Sequence, residues 1–376
     1  MTQANHIFPK VAVIIVSLNG KGLLQISLAS LKKLNYPSEK LKVILVDNGS
    51  KDGSVAWLKK NYPDVLVIKN KVNLGFAKAN NQGIKAALKD KKVSFIVTLN
   101  NDAEVQRRWL KNLVSFMQNH KRVGIGASKM LQFKNRDRFD SAGDFFLKGS
   151  LRVINRGYSQ ADRGQFDRPQ ETLSACAAAA IFRRQTLNDI KIFGEFFDED
   201  FVSYIEDTDL NIRAKLKGWL TYYIPDAVIY HMGSATSSKL SKKFKEYVSR
   251  RNRILMAVKN FPAPQMILLL AKYILPTTKG ASYYLAQKAG RIAKRGLGHY
   301  TKKGPVFYFK LFIDRFIITS NPQRLTVLEA MFVHLNAIVA AINILPKIIK
   351  KRKIIQRGKK ATDPEIARWL TRFVIS

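Results

Sequence analysis

The sequence predicts an α/β fold, a mainly parallel sheet flanked by helices, followed by a basic helical extension. Three observations carry this. Short apolar, β-branched-rich runs alternate with helix-length segments through the first part of the chain. The residues leaving these runs are amides, carboxylates or, late in the order, an imidazole. The charge is also divided unevenly: residues 240–376 hold 28 Lys+Arg against 5 Asp+Glu, whereas residues 1–239 hold 37 against 22.

Residues 11–16, 43–46, 65–68 and 93–99 read as buried strands. Between them, residues 23–34, 54–61 and 76–88 have helical spacing and the length of crossovers. Such alternation builds a parallel sheet covered on both faces. A helix is expected over 104–120 and a strand near 123–127, and the polar stretch 133–169 reads as loops or an inserted hairpin. The small-residue run 174–182 returns as a strand. An acidic-aromatic loop over 193–204 then leads into a helix over 205–217, closed by Gly218. Short strands follow at 219–224 and 227–230, which gives expected domains of 1–239 and 240–376.

Composition narrows the class. With 46% apolar and 24% charged residues the chain is an ordinary globular one. Its single cysteine, Cys176, excludes an internal disulfide framework and a cysteine zinc site, and fits a reducing compartment. Residues 1–10 have no basic n-region or long apolar run, so no secretory signal is expected. A net charge of +38 calls for a polyanionic neighbour.

In the tail, apolar stretches at 254–258, 266–275 and 327–345 alternate with basic clusters at 242–245, 250–253 and 347–360. That pattern suits helices lying in the plane of an anionic membrane. The alternative is a helical subdomain with a solvated basic face. The least charged stretch, 330–346, contains His334, Asn336 and Asn343 and is read as interfacial rather than spanning. No nucleic-acid partner is expected, because the tail's apolar runs are aliphatic and no aromatics interleave a basic stripe.

Ligands of open parallel sheets bind beyond the carboxyl ends of the strands. The successive exits are Ser17-Leu18-Asn19-Gly20, Asp47-Asn48-Gly49-Ser50, 70–75 with Asn73 and Gly75, then Asn100-Asn101-Asp102, and finally His231. Each alone could be a turn or a helix cap. Neither a dinucleotide fingerprint nor a P-loop is present, so phosphates need another counter-charge. Asp102 is well placed to bind a cation that bridges phosphate oxygens. In helix 205–217, Asp209 and Arg213 at i,i+4 read as a structural pair. Asp207 is free of that face and suits a general base, or else belongs to an N-terminal carboxylate cluster favoured by the helix dipole. His231 is either a ligand or structural.

The segments VAVIIVSLNG, VDNGSKDGS, NLGFAKANNQGI, LNNDAEV, FDEDFVSYIEDTDLNIRAKLKGW and IYHMGSAT resemble, in order and spacing, inverting family 2 glycosyltransferases. The likeness is strongest to the branch that includes rhamnosyltransferases of cell-surface polysaccharide assembly. It covers roughly residues 10–235, and an Arg251-Asn252-Arg253 segment and a basic end continue it.

The resemblance implies a GT-A fold, a nucleotide-sugar donor such as dTDP-rhamnose or a UDP-hexose, and a divalent metal, Mg2+ or Mn2+. It places Asp47 on the nucleoside, with Ser17, Asn19, Asn73, Gly75, Phe76 and Asn80 around the donor. Asn100 to Asp102 match the D-x-D metal motif, with Asn100 in place of its first carboxylate. Asp207 matches the catalytic base, and His231 a residue that holds metal or diphosphate. The expected acceptor is a glycan or lipid-linked glycan, met by a cytoplasmic protein peripheral on the inner face of the membrane. A nucleotidyltransferase would require a basic glycine-rich loop after the first strand, of which residues 17–22 are a poor version. A non-catalytic basic binder of nucleic acid or membrane is the reading outside enzymes.

Overall fold

The apolar runs of the N-terminal half form four parallel strands: β1 (Lys10–Ser17), β2 (Leu41–Asp47), β3 (Leu66–Lys69) and β4 (Val93–Asn100). The computed structural model describes residues 8–148, 150–233, 241–274 and 327–375. Strand β1 lies between β2 and β4, and β3 flanks β2. Helices α1 (Lys21–Lys32), α2 (Ser54–Asn61) and α3 (Phe76–Leu88) are the crossovers. Alternation along β1 explains why this strand is central. Val11, Val13 and Ile15 enter one core with Leu24, Leu28 and Trp109, while Ala12 and Ile14 enter another with Ala77 and Ile84.

Beyond β4 the expectation for 104–120 needs correction. Residues Ala103–Val105 form a short strand, β5, and helix α4 runs only over Trp109–Asn119. Strand β5 pairs antiparallel with residues 229–231, a partner more than a hundred residues away that local periodicity cannot reveal. The sheet continues through β6 (Val123–Gln132), which carries β7 (Phe139–Ser141) at its end. Strands β8 (Asp144–Leu147) and β9 (Val153–Asn155) form a hairpin in the polar insertion, and β10 (Gln170–Glu171) closes the sheet edge.

Only the second half of the run 174–182 is strand, β11 (Ala179–Arg183), antiparallel to both β4 and β6. Its first half is drawn off by other partners, described below. Helices α5 (Arg184–Ile190) and α6 (Glu206–Leu216) follow. The two short strands expected over 219–230 are one strand, β12 (Leu220–His231), parallel to β6 with a register shift between Ile224 and Val228.

The basic tail contributes α7 (Lys242–Asn260), a helix at Ala263–Ile274, a long helix at Val327–Arg357 and a short one at Asp363–Arg372. Strand β13 (Val374–Ile375) adds to β8. These elements share one core with the preceding α/β part: Phe146, Phe201, Ile212 and Leu216 pack with Leu255, Phe261, Ile348, Ile355 and Phe373. The expected boundary at 239/240 and the segment IYHMGSAT beyond Gly233 lie outside the described residues.

Candidate active site

Parallel register brings the strand exits level. Ser17 pairs with Asp47, Asp47 with Lys69, and Val16 with Asn100, so the four ends form one rim. The loops leaving it are tied to one another. Asn19, in the left-handed region at φ 49°, accepts from the Lys51 amide at 2.8 Å and donates its own amide to Ser50 Oγ at 2.8 Å. Asn101 Nδ2 donates to Ser17 Oγ at 3.0 Å across the β1–β4 pair. A Cβ at Gly20 would fall 2.4 Å from that amide and 2.7 Å from Ser17 Oγ, displacing the bond between them.

Asp47 is buried, and both its oxygens face the Ser50 amide at 3.3 Å. Asn48, one of the strand-exit amides, joins this rim to the next loop. Its amide donates to Asn73 Oδ1 at 2.7 Å, and its oxygen accepts from the Leu74 amide at 3.0 Å. Gly75 stands at φ 82° with Val202 where a Cβ would be. Phe76 meets Phe197 edge-on at 6.2 Å. Asn80, in α3, donates to the Phe76 carbonyl at 3.0 Å. Ser17, Asn19, Asp47, Asn73, Gly75 and Asn100 thus stand on one linked rim, and α3 brings Phe76 and Asn80 behind it.

His231 arrives at the same rim on β12. Its Nε2 lies 3.2 Å from Asp102 Oδ1 and 3.3 Å from Asn100 Nδ2, and its Nδ1 lies 2.8 Å from Asp140 Oδ2. Asp140 was not foreseen. It sits in β7, inside the polar stretch expected to hold loops or an inserted hairpin, and its contact with His231 marks it. Burial opposes a charge on His231, but the hydrogen bonds to Asp102 and Asp140 outweigh it and hold its pKa up at about 10.

Among the described residues no group of three or more His, Cys, Asp or Glu surrounds a common metal position. Two protein donors are nonetheless suitably spaced. Donors that share an octahedral cation as neighbours at about 2.1 Å stand about 3 Å apart, close to the 3.2 Å between His231 Nε2 and Asp102 Oδ1. Asp140 on the far ring nitrogen is the usual support of a histidine ligand. The residues would fit a divalent cation that takes the place of the proton His231 Nε2 shares with Asp102.

Asp207 is tied to this rim through the residues that precede β11. Residues 176–178 enter at the C-terminal end of β4 because β11 runs antiparallel to it. Asn100 donates its amide to the Ala178 carbonyl at 2.8 Å, and the neighbouring Ala177 amide donates to Asp207 Oδ2 at 3.2 Å. The Ala175 amide donates to Asn211 Oδ1 at 3.3 Å, so 175 and 177 bond to α6 rather than to a neighbouring strand. Burial raises the pKa of Asp207, against the hydrogen bonds from the Ala177 and Thr208 amides that favour its charge. Glu206 is pushed far above the carboxylate range by burial and by the charge of Asp207. Asp144 is raised likewise, by burial and then Asp207. Asp209 is the structural acid the i,i+4 spacing predicts, bonded to Arg213 Nε at 2.9 Å.

Residues 12–191 match the family described as Glycosyl transferase family 2. The N-acetylglucosaminyl-diphospho-decaprenol L-rhamnosyltransferase of Mycobacterium tuberculosis is 25% identical over 223 residues, which span 54% of this chain and 70% of that protein. The mannosyltransferase PcManGT from Pyrobaculum calidifontis, solved with GDP-Man and Mn2+, has a TM-score of 0.53 at 17% identity, covering 90% of this chain and 88% of its own. GalNAc-T7, solved with UDP, GalNAc and Mn2+, also has a TM-score of 0.53, at 14% identity over 68% of this chain and 48% of its own. The two structural likenesses speak to the fold.

Proposed function

We propose that this chain, whose residues 12–191 match the family 2 glycosyltransferases and whose fold is that of GT-A enzymes, transfers one sugar, with inversion, from a nucleoside-diphosphate donor to a hydroxyl of a lipid-linked glycan. The supporting observation is the shared rim. Ser17 is level with Asp47 and Val16 with Asn100 in the sheet, and Asp207 accepts from the amide of Ala177, the residue before the Ala178 whose carbonyl binds Asn100.

Asp47 holds the nucleoside, with Ser17, Asn19, Asn73, Gly75, Phe76 and Asn80 shaping the pocket around the donor. Asp207 takes the proton of the acceptor hydroxyl as that oxygen bonds to the anomeric carbon. The bond from this carbon to the diphosphate oxygen breaks on the opposite face, its electron pair leaves with the diphosphate, and the configuration inverts. A divalent cation, Mg2+ or Mn2+, held by Asp102 and His231 would neutralise charge gathering on the departing diphosphate. Asp140 keeps the His231 ring turned toward Asp102.

The acceptor class and the membrane have separate support. The rhamnosyltransferase relative is named for a lipid-diphosphate acceptor. The segment Glu329–Arg357 is long and apolar enough to cross a bilayer. However, its Glu329 pairs with Lys243 at 2.8 Å and its Lys351 is buried in protein. Its outward stripe is Leu335, Val339, Ile342 and Ile349, continued by exposed Lys350 and Lys353, and Ile267 and Leu268 are exposed on the helix before it. An apolar stripe with a basic end suits a helix lying in an anionic interface on the cytoplasmic face. Screening dTDP-rhamnose and UDP-hexoses with Mn2+ for transfer to N-acetylglucosaminyl-diphospho-decaprenol tests the reading. Product with any donor supports it, and no nucleoside diphosphate release from any of them contradicts it.

A further inference from the structure

Asp207 stands at the start of α6 only because the chain before it makes an unfavourable turn. Val202, Tyr204 and Ile205 have φ of 64°, 67° and 70°, left-handed values at three non-glycine positions in four. Such backbone persists only where its surroundings over-determine it. On the donor side it is held by α3. Asn81 Nδ2 donates to the Phe197 carbonyl at 2.8 Å, and the Ala77 amide donates to the Val202 carbonyl at 3.0 Å.

The basic tail holds the opposite side. Asn252 Nδ2 lies 2.9 Å from the carbonyls of both Phe201 and Ser203 and 2.7 Å from that of Tyr204. Arg251 donates to the Asp200 carbonyl at 2.8 Å. Lys259 is bonded to Asp198 and lies 2.8 Å from Asp209, two residues beyond Asp207. Lys351 reaches Asp198 at 2.5 Å, Asp200 at 2.8 Å and Glu195 at 3.1 Å. Asp198 in turn accepts from the Asp200 amide and so caps the 3-10 turn Glu199–Phe201 that opens the strained segment. Lys351 is 1% exposed and lies on the helix face that buries Ile348 and Ile355. An aliphatic residue would fill that position, whereas an ammonium there answers three carboxylates of one loop.

We propose that Lys351 is a positioning residue for Asp207: it fixes Asp198 and Asp200, and through them the 198–205 turn that sets where the base meets the acceptor. The same long helix presents its apolar stripe outward, so its seating and the geometry of the base are mechanically joined. The proposal rests on Asp207 as the base, but the fixing of the turn can be measured without any substrate.

The experiment compares the full chain with Lys351→Met, Lys351→Arg and Asp200→Asn, the last altering the clamp without emptying a buried site. Hydrogen exchange of 198–208 should accelerate in Lys351→Met and in Asp200→Asn while the β1–β4 amides stay protected. Transfer from dTDP-rhamnose to N-acetylglucosaminyl-diphospho-decaprenol should lose up to about a hundredfold in kcat in Lys351→Met, the scale of an ångström's misplacement. Binding of UDP or dTDP with Mn2+ should stay within about twofold, because ground-state nucleotide contacts are untouched. Lys351→Arg should recover most of the kcat. Unchanged exchange over 198–208, or a parallel loss of nucleotide binding and kcat with exchange rising everywhere, overturns the proposal. If the native chain shows no transfer, the functional reading fails, and the exchange data still decide whether the clamp holds the turn.

Discussion

Replacing Lys259 by methionine removes one ammonium from the junction between tail and catalytic half at nearly constant volume. Lys259 is 0% exposed, and its partners Asp198 and Asp209 are 4% and 0% exposed. Breaking a buried pair from one side costs about 3–5 kcal/mol because the partner charge is left uncompensated. Here each carboxylate keeps a second cation, Lys351 for Asp198 at 2.5 Å and Arg213 for Asp209 at 2.9 Å, so the lower end applies. The expected loss is about 3 kcal/mol, a large part of the 5–15 kcal/mol typical of folded proteins.

The sign of the pH dependence follows from Asp198. Burial alone would raise its pKa, but the ammoniums of Lys259 and Lys351 hold it below the usual carboxylate range. A depressed folded pKa contributes stability that is fully present above the unfolded value near 4 and is lost as pH falls through the folded one. Urea unfolding of Lys259→Met should therefore show the full deficit at pH 7 and a shrinking deficit below about pH 4. A loss under about 1 kcal/mol at pH 7, or a deficit that grows in acid, would refute a compensated buried cluster.

Three further outcomes are expected. Asp140→Asn should weaken Mn2+ binding about 10–100-fold, read by titration of the metal's paramagnetic signal, because His231 loses the carboxylate that orients it. Since the pKa of Asp207 is raised, kcat should fall with decreasing pH along an acid limb lying above the ordinary aspartate value of about 4; a flat profile down to that value counts against Asp207 as the base. Val339→Asp together with Ile342→Asp should abolish sedimentation with vesicles containing anionic lipid, and retained binding would point away from the outward stripe of Val327–Arg357.

What was legible in the sequence follows the range of the forces involved. The β-branched runs of β1, β2 and β4 and the crossover helices are local patterns, and strand polarity then places Ser17, Asp47 and Asn100 on one rim. Strand β5 was hidden because Ala103–Val105 has a helix-compatible local sequence and becomes extended by pairing with β12. Asp140 was hidden in an Arg- and Asp-rich stretch, although the apolar Phe139 beside it was a local signal of a short strand. The basic tail was read as a face for anionic lipid, yet Lys259 and Lys351 turn inward to Asp198, Asp200 and Asp209. The concentration of acids at 195–209 was the available hint of that pairing.

Acceptor-dependent nucleoside diphosphate release by the native chain and by Asp207→Asn, with donor binding measured on both, decides between a transferase with this base and any other reading of the rim. The expected result is turnover lowered about 10²–10⁴-fold in Asp207→Asn, the usual worth of a general base, with donor affinity retained. Equal turnover in the two proteins would remove Asp207 from the chemistry, and no turnover in either would remove the transferase itself.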